Sequence, residues 1–308
     1  MMFRVIEKLK NTFFNINQSS RIIYNIEFQQ RKRILEQNIL FKTEMGVTDK
    51  KYMDHDIIVS LTTFGKRLYD VALTIESIME QTMKANRIVL WLQDDLKNTT
   101  LPGSLELLKK RGLEIAFYKD IRSYKKLVPS LHKYPNDAII TVDDDLLYEY
   151  DVLEQLIVAY QHNPQYIYCH RAHQIKVDLS GKLMPYSDWG WEQYFELPSN
   201  LCFPTGAGGT LYPPHSLDVE VFSEKIFMDI CPFADDVWFK AMAIKKGTLA
   251  VSVYSHNKNG CDYLINESVQ DIGLCKVNVD QNRNDLQIAA VFNKYNLYQH
   301  LDNSRNRL

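Results

Sequence analysis

The sequence predicts an α/β protein: a mostly parallel, mixed sheet flanked by helices, with a helical extension before it. Three observations carry that prediction. From residue 56 onward, short runs of apolar residues recur that are dense enough to be buried on both faces. Segments with helical spacing separate them, so strand and helix alternate along the chain. Before residue 50 only the helical spacing occurs.

In order, the first 50 residues place apolar side chains at mixed three and four spacings from Phe3 to Leu9 and from Ile22 to Phe41, as amphipathic helices do. Residues 1–44 are modestly basic, with Arg21, Arg31, Lys32 and Arg33 among eight cations against four glutamates. Such helices suit packing on the next domain or on a second copy of the chain, or peripheral contact with an anionic membrane surface. Asp56–Thr62 then reads as a buried strand and Tyr69–Gln81 as a helix. Arg87–Leu92 is a second strand, and Pro102–Arg111 a helix with Gly112 as its stop. Leu113–Tyr118 is a third strand, Lys125–Tyr134 a short helix, and Ala138–Val142 a fourth strand. The segments are 1–50 as the helical extension, 51–260 as the catalytic domain and 261–308 as a C-terminal helical tail.

Composition narrows the function. With 308 residues, 45% hydrophobic and 24% charged, the chain is globular, and twelve glycines and ten prolines exclude collagen-like classes. A net charge of −2 gives no field to draw in nucleic acid. Cys169, Cys202, Cys231, Cys261 and Cys275 are odd in number and contain no Cys-x-x-Cys pair, which points to a reducing compartment. Glu7, Lys8 and Lys10 interrupt the apolar region a signal peptide needs, and no run of about 18 apolar residues occurs. The expected place is the cytoplasm, with peripheral contact at the inner membrane face as an option. After the first strand there is neither a Gly-x-Gly-x-x-Gly nor a Walker loop, which argues against NAD enzymes and P-loop NTPases.

Three motifs carry chemistry. Asp143, Asp144 and Asp145 directly follow a strand, where ligands of parallel sheets bind. Adjacent carboxylates repel unless a cation lies between them, and alternate residues of extended chain can face one side together. Asp143 and Asp145 therefore suit Mg²⁺ or Mn²⁺ with phosphate oxygens as further ligands. The second motif, Asp235-Asp236, opens a helix that stops at Gly247; the pair can serve the helix dipole or supply a general base. The third runs from Pro204 to Pro214 with Gly206, Gly208 and Gly209, a loop that a ligand can approach closely.

In this order the three motifs resemble nucleotide-sugar glycosyltransferases of the GT-A fold, of the family-2-like kind that builds bacterial surface polysaccharide. The resemblance spans roughly residues 56–260. It implies that the loop after the first strand, with Thr62, Thr63, Phe64 and Arg67, touches the nucleotide, and that Asp94 or Asp95 contacts the base. It implies an Asp-x-Asp element at Asp143–Asp145 for metal and diphosphate, with His256 as a further metal ligand. Gly208 and Gly209 are then the donor-side loop, Lys126 a phosphate partner, and Asp236, with Asp235 second, the base. The implied reaction is metal-dependent, inverting transfer from a nucleotide sugar, UDP favoured, to a glycan or lipid-linked acceptor. Met184–Asn200, with Asp188, Trp189, Trp191, Tyr194 and Phe195, offers an acceptor wall or lid, or plain core packing. The rivals are a sugar-phosphate nucleotidyltransferase, which usually has a glycine-rich basic loop after the first strand, and a non-catalytic glycan-binding relative, which would have lost the metal carboxylates.

Overall fold

The computed structural model describes the backbone of residues 2–256, 262–272 and 283–301, with side chains for residue 19 and from residue 21 on, 271 and 272 excepted. Cys261, Cys275 and the side chains of Phe3 to Leu9 lie outside the described residues.

The N-terminal segment is one helix, α1 (Met2–Phe41), rather than several. No glycine or proline interrupts it, so nothing in the backbone chemistry ends the first turn-set before the second begins. Its second half is anchored by a stripe of Phe28, Leu35 and Ile39, all buried, against α2 (Val71–Met79) and α3 (Gly103–Lys109). Near its middle, Ile22, Ile23 and Ile26 are about half exposed.

The central sheet has seven strands. In chain order they are β1 (Ile57–Thr62), β2 (Arg87–Gln93), β3 (Leu113–Tyr118), β4 (Ala138–Thr141), β6 (Ile167–Cys169), β9 (Thr210–Tyr212) and β10 (Ala250–Ser252), arranged β10-β6-β9-β4-β1-β2-β3. All neighbours run parallel except β9, which is antiparallel to both β4 and β6. The sheet is therefore α/β, mostly parallel and mixed, as the apolar runs predict. The two-residue period of the strands sorts side chains between two cores. Ile57, Val59 and Leu61 enter the core covered by α1, α2, α3 and α5 (Val152–His162). Ile58, Val89, Trp91 and Ile139 enter the core covered by α6 (Glu224–Ile230), α7 (Asp235–Lys246) and α8 (Arg283–Tyr295).

Two small pairings frame one end of the sheet. β5 (Leu146–Tyr148) pairs antiparallel with β11 (Tyr263–Ile265), and β7 (Ala172–Gln174) with β8 (Cys202–Pro204). The expected C-terminal tail thus contributes a strand, β11, as well as the packed helix α8. The short helix expected at Lys125–Tyr134 is a 3₁₀ turn over Arg122–Lys126 followed by α4 (Val128–Lys133). Among the described residues, no helix is long and apolar enough to cross a membrane.

Candidate active site

The carboxyl ends of β1, β2 and β4 open into a cleft of about 650 Å³, a size ordinary for small-molecule sites. The triplet forms its floor. β4 ends at Thr141, and the chain turns through Asp143–Asp145 before entering β5. Tyr148, fully buried, holds this turn: its hydroxyl accepts the Asp143 N–H (3.0 Å) and donates to the Ala207 carbonyl (3.0 Å). One phenol thereby ties the acidic turn to the glycine loop, and no sequence motif marks it.

Two cations organise the acids. Arg67, from the turn after β1, reaches Asp144 (2.8 Å) and Asp145 (2.8 Å). Lys126 lies 3.0 Å from Asp143, 3.0 Å from Asp235 and 3.9 Å from Asp236. Asp143 and Asp145 thus line one cleft but meet different cations. Burial works against the Lys126 charge, yet Asp143, Asp235 and Asp236 outweigh it and hold the ammonium well above its usual range. The carboxyls move the other way. Burial pushes Asp144 up to about 6 although Arg67 opposes it. Asp145 is raised by burial and by Asp143. Burial pushes Asp236 up to about 7 against Lys126, with Asp235 and Asp143 adding to the rise. Arg67 and Lys126 between them contact all five of these carboxylates.

The acidic pair at the start of α7 divides its roles. Asp235 is buried and accepts from Ser123 Oγ (2.9 Å) as well as facing Lys126. Asp236 lies deep in the protein but has 29% of its side chain reachable from the cleft. Its Oδ2 accepts the Gly206 N–H at 3.1 Å. Both acids thus take partners from other elements.

Gly206 leaves room for the charged groups around it. A Cβ there would come within 2.4 Å of Lys126 Nζ, 3.1 Å of Asp143 Oδ1 and 3.4 Å of Asp236 Oδ1. Gly208 and Gly209, the expected donor-side positions, do not line the cleft. Gly209 serves the backbone instead, with φ +91° at the entry to β9. Of the three glycines in the loop, Gly206 lines the cleft.

Other expected residues scatter. Thr62, Thr63, Phe64, Arg67 and Lys126 line the cleft, although Thr62 Oγ1 is engaged by the Trp91 carbonyl (2.8 Å). Asp94 and Asp95 are exposed on a 3₁₀ turn outside it, Asp94 paired with Lys97 at 2.6 Å. β2 ends one residue before them, at Gln93, and Gln93 lines the cleft in their place. His256 is exposed and pairs with Asp151 at 2.7 Å, away from the cleft lining. The strand it follows, β10, is an edge of the sheet, three places from β4. Of the 184–200 segment, Tyr186 and Trp191 reach the cleft; Trp189 is buried, and Asp188 and Tyr194 are exposed outside it. Sequence reading missed Arg122, Arg171, His173, Phe203, Gln270 and Asn284, which arrive from separate elements.

Among the described residues, no three His, Cys, Asp or Glu side chains form a cage that could hold a metal ion alone. The donor set nonetheless fits a divalent ion of the kind that shares its shell with phosphate. Asp143 and Asp145 supply hard oxygens from one turn at the cleft floor.

The chain matches no protein-family model and no curated relative. Among solved structures it is similar to 4-diphosphocytidyl-2C-methyl-D-erythritol synthase, at 9% identity and a TM-score of 0.40, over 67% of this chain and 92% of that one. It is also similar to CMP:2-keto-3-deoxy-manno-octonic acid synthetase complexed with CTP, at 10% identity and a TM-score of 0.36, over 65% and 89%. Likeness at that distance says nothing of activity.

Proposed function

We propose that this chain is a metal-assisted glycosyltransferase that moves a sugar from a nucleotide-sugar donor to a glycan or lipid-linked acceptor. One observation carries the reading: carboxylates from two distant stretches, Asp143–Asp145 and Asp235–Asp236, meet through Lys126 in a cleft at the carboxyl ends of parallel strands. A diphosphate bound over the triplet would then lie beside a carboxylate, Asp236, that the cleft reaches.

The donor's nucleoside lies along Thr63, Phe64 and Gln93, where β1 and β2 end. Asp143 and Asp145 would hold Mn²⁺ or Mg²⁺, which supplies Lewis-acid charge to the leaving diphosphate. Arg67 and Lys126 add fixed positive charge in the same place and require no rearrangement when negative charge develops. Asp236 is the general base. Its Oδ2 is fixed by the Gly206 amide, and a pKa near 7 suits it to take the acceptor hydroxyl's proton as that oxygen attacks the anomeric carbon. Attack from the side opposite the diphosphate inverts the configuration. Asp235, buried against Ser123 and Lys126, orients the ammonium rather than meeting substrate.

Calorimetry with UDP and GDP, each with and without Mn²⁺, tests the reading together with an Asp143→Ala/Asp145→Ala variant. Metal-dependent nucleoside-diphosphate binding that the double variant loses supports it. Nucleotide binding indifferent to metal and to both substitutions overturns it. Release of pyrophosphate from a nucleoside triphosphate and a sugar phosphate would assign a nucleotidyltransferase instead.

A further inference from the structure

The cleft extends beyond Asp236 into a region of different chemistry. Here His173 from β7 and Phe203 from β8 stand beside Tyr186 and Trp191 from the intervening chain. The rings pack on one another: His173–Trp191 centroids are 4.7 Å apart, Tyr186–Trp191 5.5 Å and Trp189–Phe203 5.3 Å. Trp191 is the exception among the four tryptophans. It is 40% exposed, while Trp91, Trp189 and Trp238 are 5%, 3% and 0%. A large ring left open inside a cleft, on a bed of other rings, is a stacking surface.

The backbone around Trp191 is held for that purpose. Gly190 and Gln174 exchange two hydrogen bonds, at 2.6 and 3.0 Å. Glu192, next in the chain, has a φ of +53°, a conformation unfavourable for a residue with a Cβ. Its N–H donates to His173 Nδ1 at 3.0 Å, which fixes both the turn and the imidazole. A platform prepared this way loses little entropy when a ligand lands on it.

The polar groups at the edge are matched among themselves. Arg171 donates from Nε (3.2 Å) and Nη2 (3.1 Å) to Glu192 Oε1, and from Nη1 to Thr205 Oγ1 (2.9 Å). Burial, with Arg171 beside it, pushes His173 down to about 3, so the imidazole is neutral at physiological pH. This end therefore offers an aromatic face and hydrogen-bonding edges but no uncompensated cation. An anionic sugar would find no countercharge there, and a lipid chain would meet polar edges it cannot satisfy. A neutral pyranose, with an apolar C–H face and a rim of hydroxyls, matches both surfaces.

We propose that Trp191, flanked by His173 and Tyr186 and edged by the Arg171–Glu192 pair, forms an acceptor subsite that takes an uncharged pyranose ring. Its role as an acceptor site rests on the transferase reading; its binding of the ring does not.

Tryptophan emission reads this directly, because the other three indoles are buried. The full chain, with and without saturating UDP and Mn²⁺, is titrated with methyl glycosides of glucose, galactose, mannose and N-acetylglucosamine, and with a methyl glucuronide. The expected result is a saturable emission shift with at least one neutral glycoside, lost in Trp191→Phe. In Trp191→Ala the affinity, followed by calorimetry, falls about tenfold or more. Glu192→Gln, which keeps the backbone but breaks the ion pair, should admit the glucuronide more readily. The proposal is overturned if no neutral glycoside shifts the emission, if the shift survives in Trp191→Phe, or if wild type prefers the glucuronide. Nucleotide binding with no glycoside response would sink the subsite and leave the transferase reading standing. Glycoside binding without any nucleotide binding would do the reverse.

Discussion

Two clusters of buried charge lie in this protein, and they are built to different rules. Around α2, Glu76 meets Arg111 at 2.5 Å with both side chains shut away from solvent, and Arg111 also donates to the Glu44 carbonyl (2.8 Å). One turn on, Glu80 takes Arg31 (3.0 Å) from α1 and Lys42 (2.7 Å), the residue that follows that helix. Two carboxylates thus face three cations, and the cluster closes on itself between α1, α2 and the approach to β3. At the cleft, Arg67 and Lys126 hold five carboxylates from two distant stretches, and Asp143 and Asp236 keep 31% and 29% of their side chains exposed. Burial itself does not separate structure from function here. A pair shut away from solvent, as Glu76 and Arg111 are, fastens elements together; acids that border an opening, as Asp143 and Asp236 do, can meet a group that arrives from outside.

The sharpest way to break this contrast is Asp236→Asn. Removing the base should lower transfer by about 10²- to 10⁴-fold, measured as sugar transferred per unit time. Stability should move the other way. Because Asp236 is pushed up to about 7, the folded state keeps a proton that an unfolded carboxyl releases above about pH 4. That carboxyl therefore subtracts stability as pH rises from about 4 to 7, and the asparagine should flatten this slope in urea unfolding at pH 5 and 8. A variant less stable than wild type at pH 8 would make Asp236 a structural acid.

Arg111→Met inverts the pattern. It leaves Glu76 buried without its partner and should cost about 3–5 kcal/mol by chemical denaturation, while kcat of the folded fraction stays within about twofold. A selective loss of turnover would join the two clusters functionally. Gly206→Ala comes next. Its Cβ must displace Lys126 Nζ, so transfer should fall by about ten- to a hundredfold with little change in Tm. The smallest effect belongs to His256→Ala, which breaks an exposed pair with Asp151 and should alter stability by less than about 0.5 kcal/mol. Weaker Mn²⁺ binding in that variant would restore His256 as a ligand.

The same contrast explains what was legible in the residues. Asp143–Asp145 and Asp235–Asp236 are conspicuous because like charges in sequence need a reason. Arg67 and Lys126 lie close behind strands that announce themselves. Glu76 and Arg111 look no different from surface residues, since an ion pair closed across 35 positions leaves no local pattern. Asp94 and Asp95 misled because β2 ends one residue before them, and a single residue decides which side chain faces the cleft. Gly208 and Gly209 drew attention as a pair, yet the constraint that matters, the approach of Lys126 and Asp143 to Gly206, is between elements far apart in the chain.

Apolar periodicity by itself determined the strands β1 to β4, the helices between them and the parallel character of the sheet, because burial on both faces acts residue by residue along each strand. It also determined that acids follow a strand end. Only the tertiary structure decided which acid each cation serves, that β9 enters antiparallel and carries the glycine loop to the triplet, and that Trp191 rather than Trp189 faces the cleft. Those outcomes depend on distances between segments tens of residues apart. Such distances are set by packing the whole sheet between its two helical layers, and no window of sequence contains them.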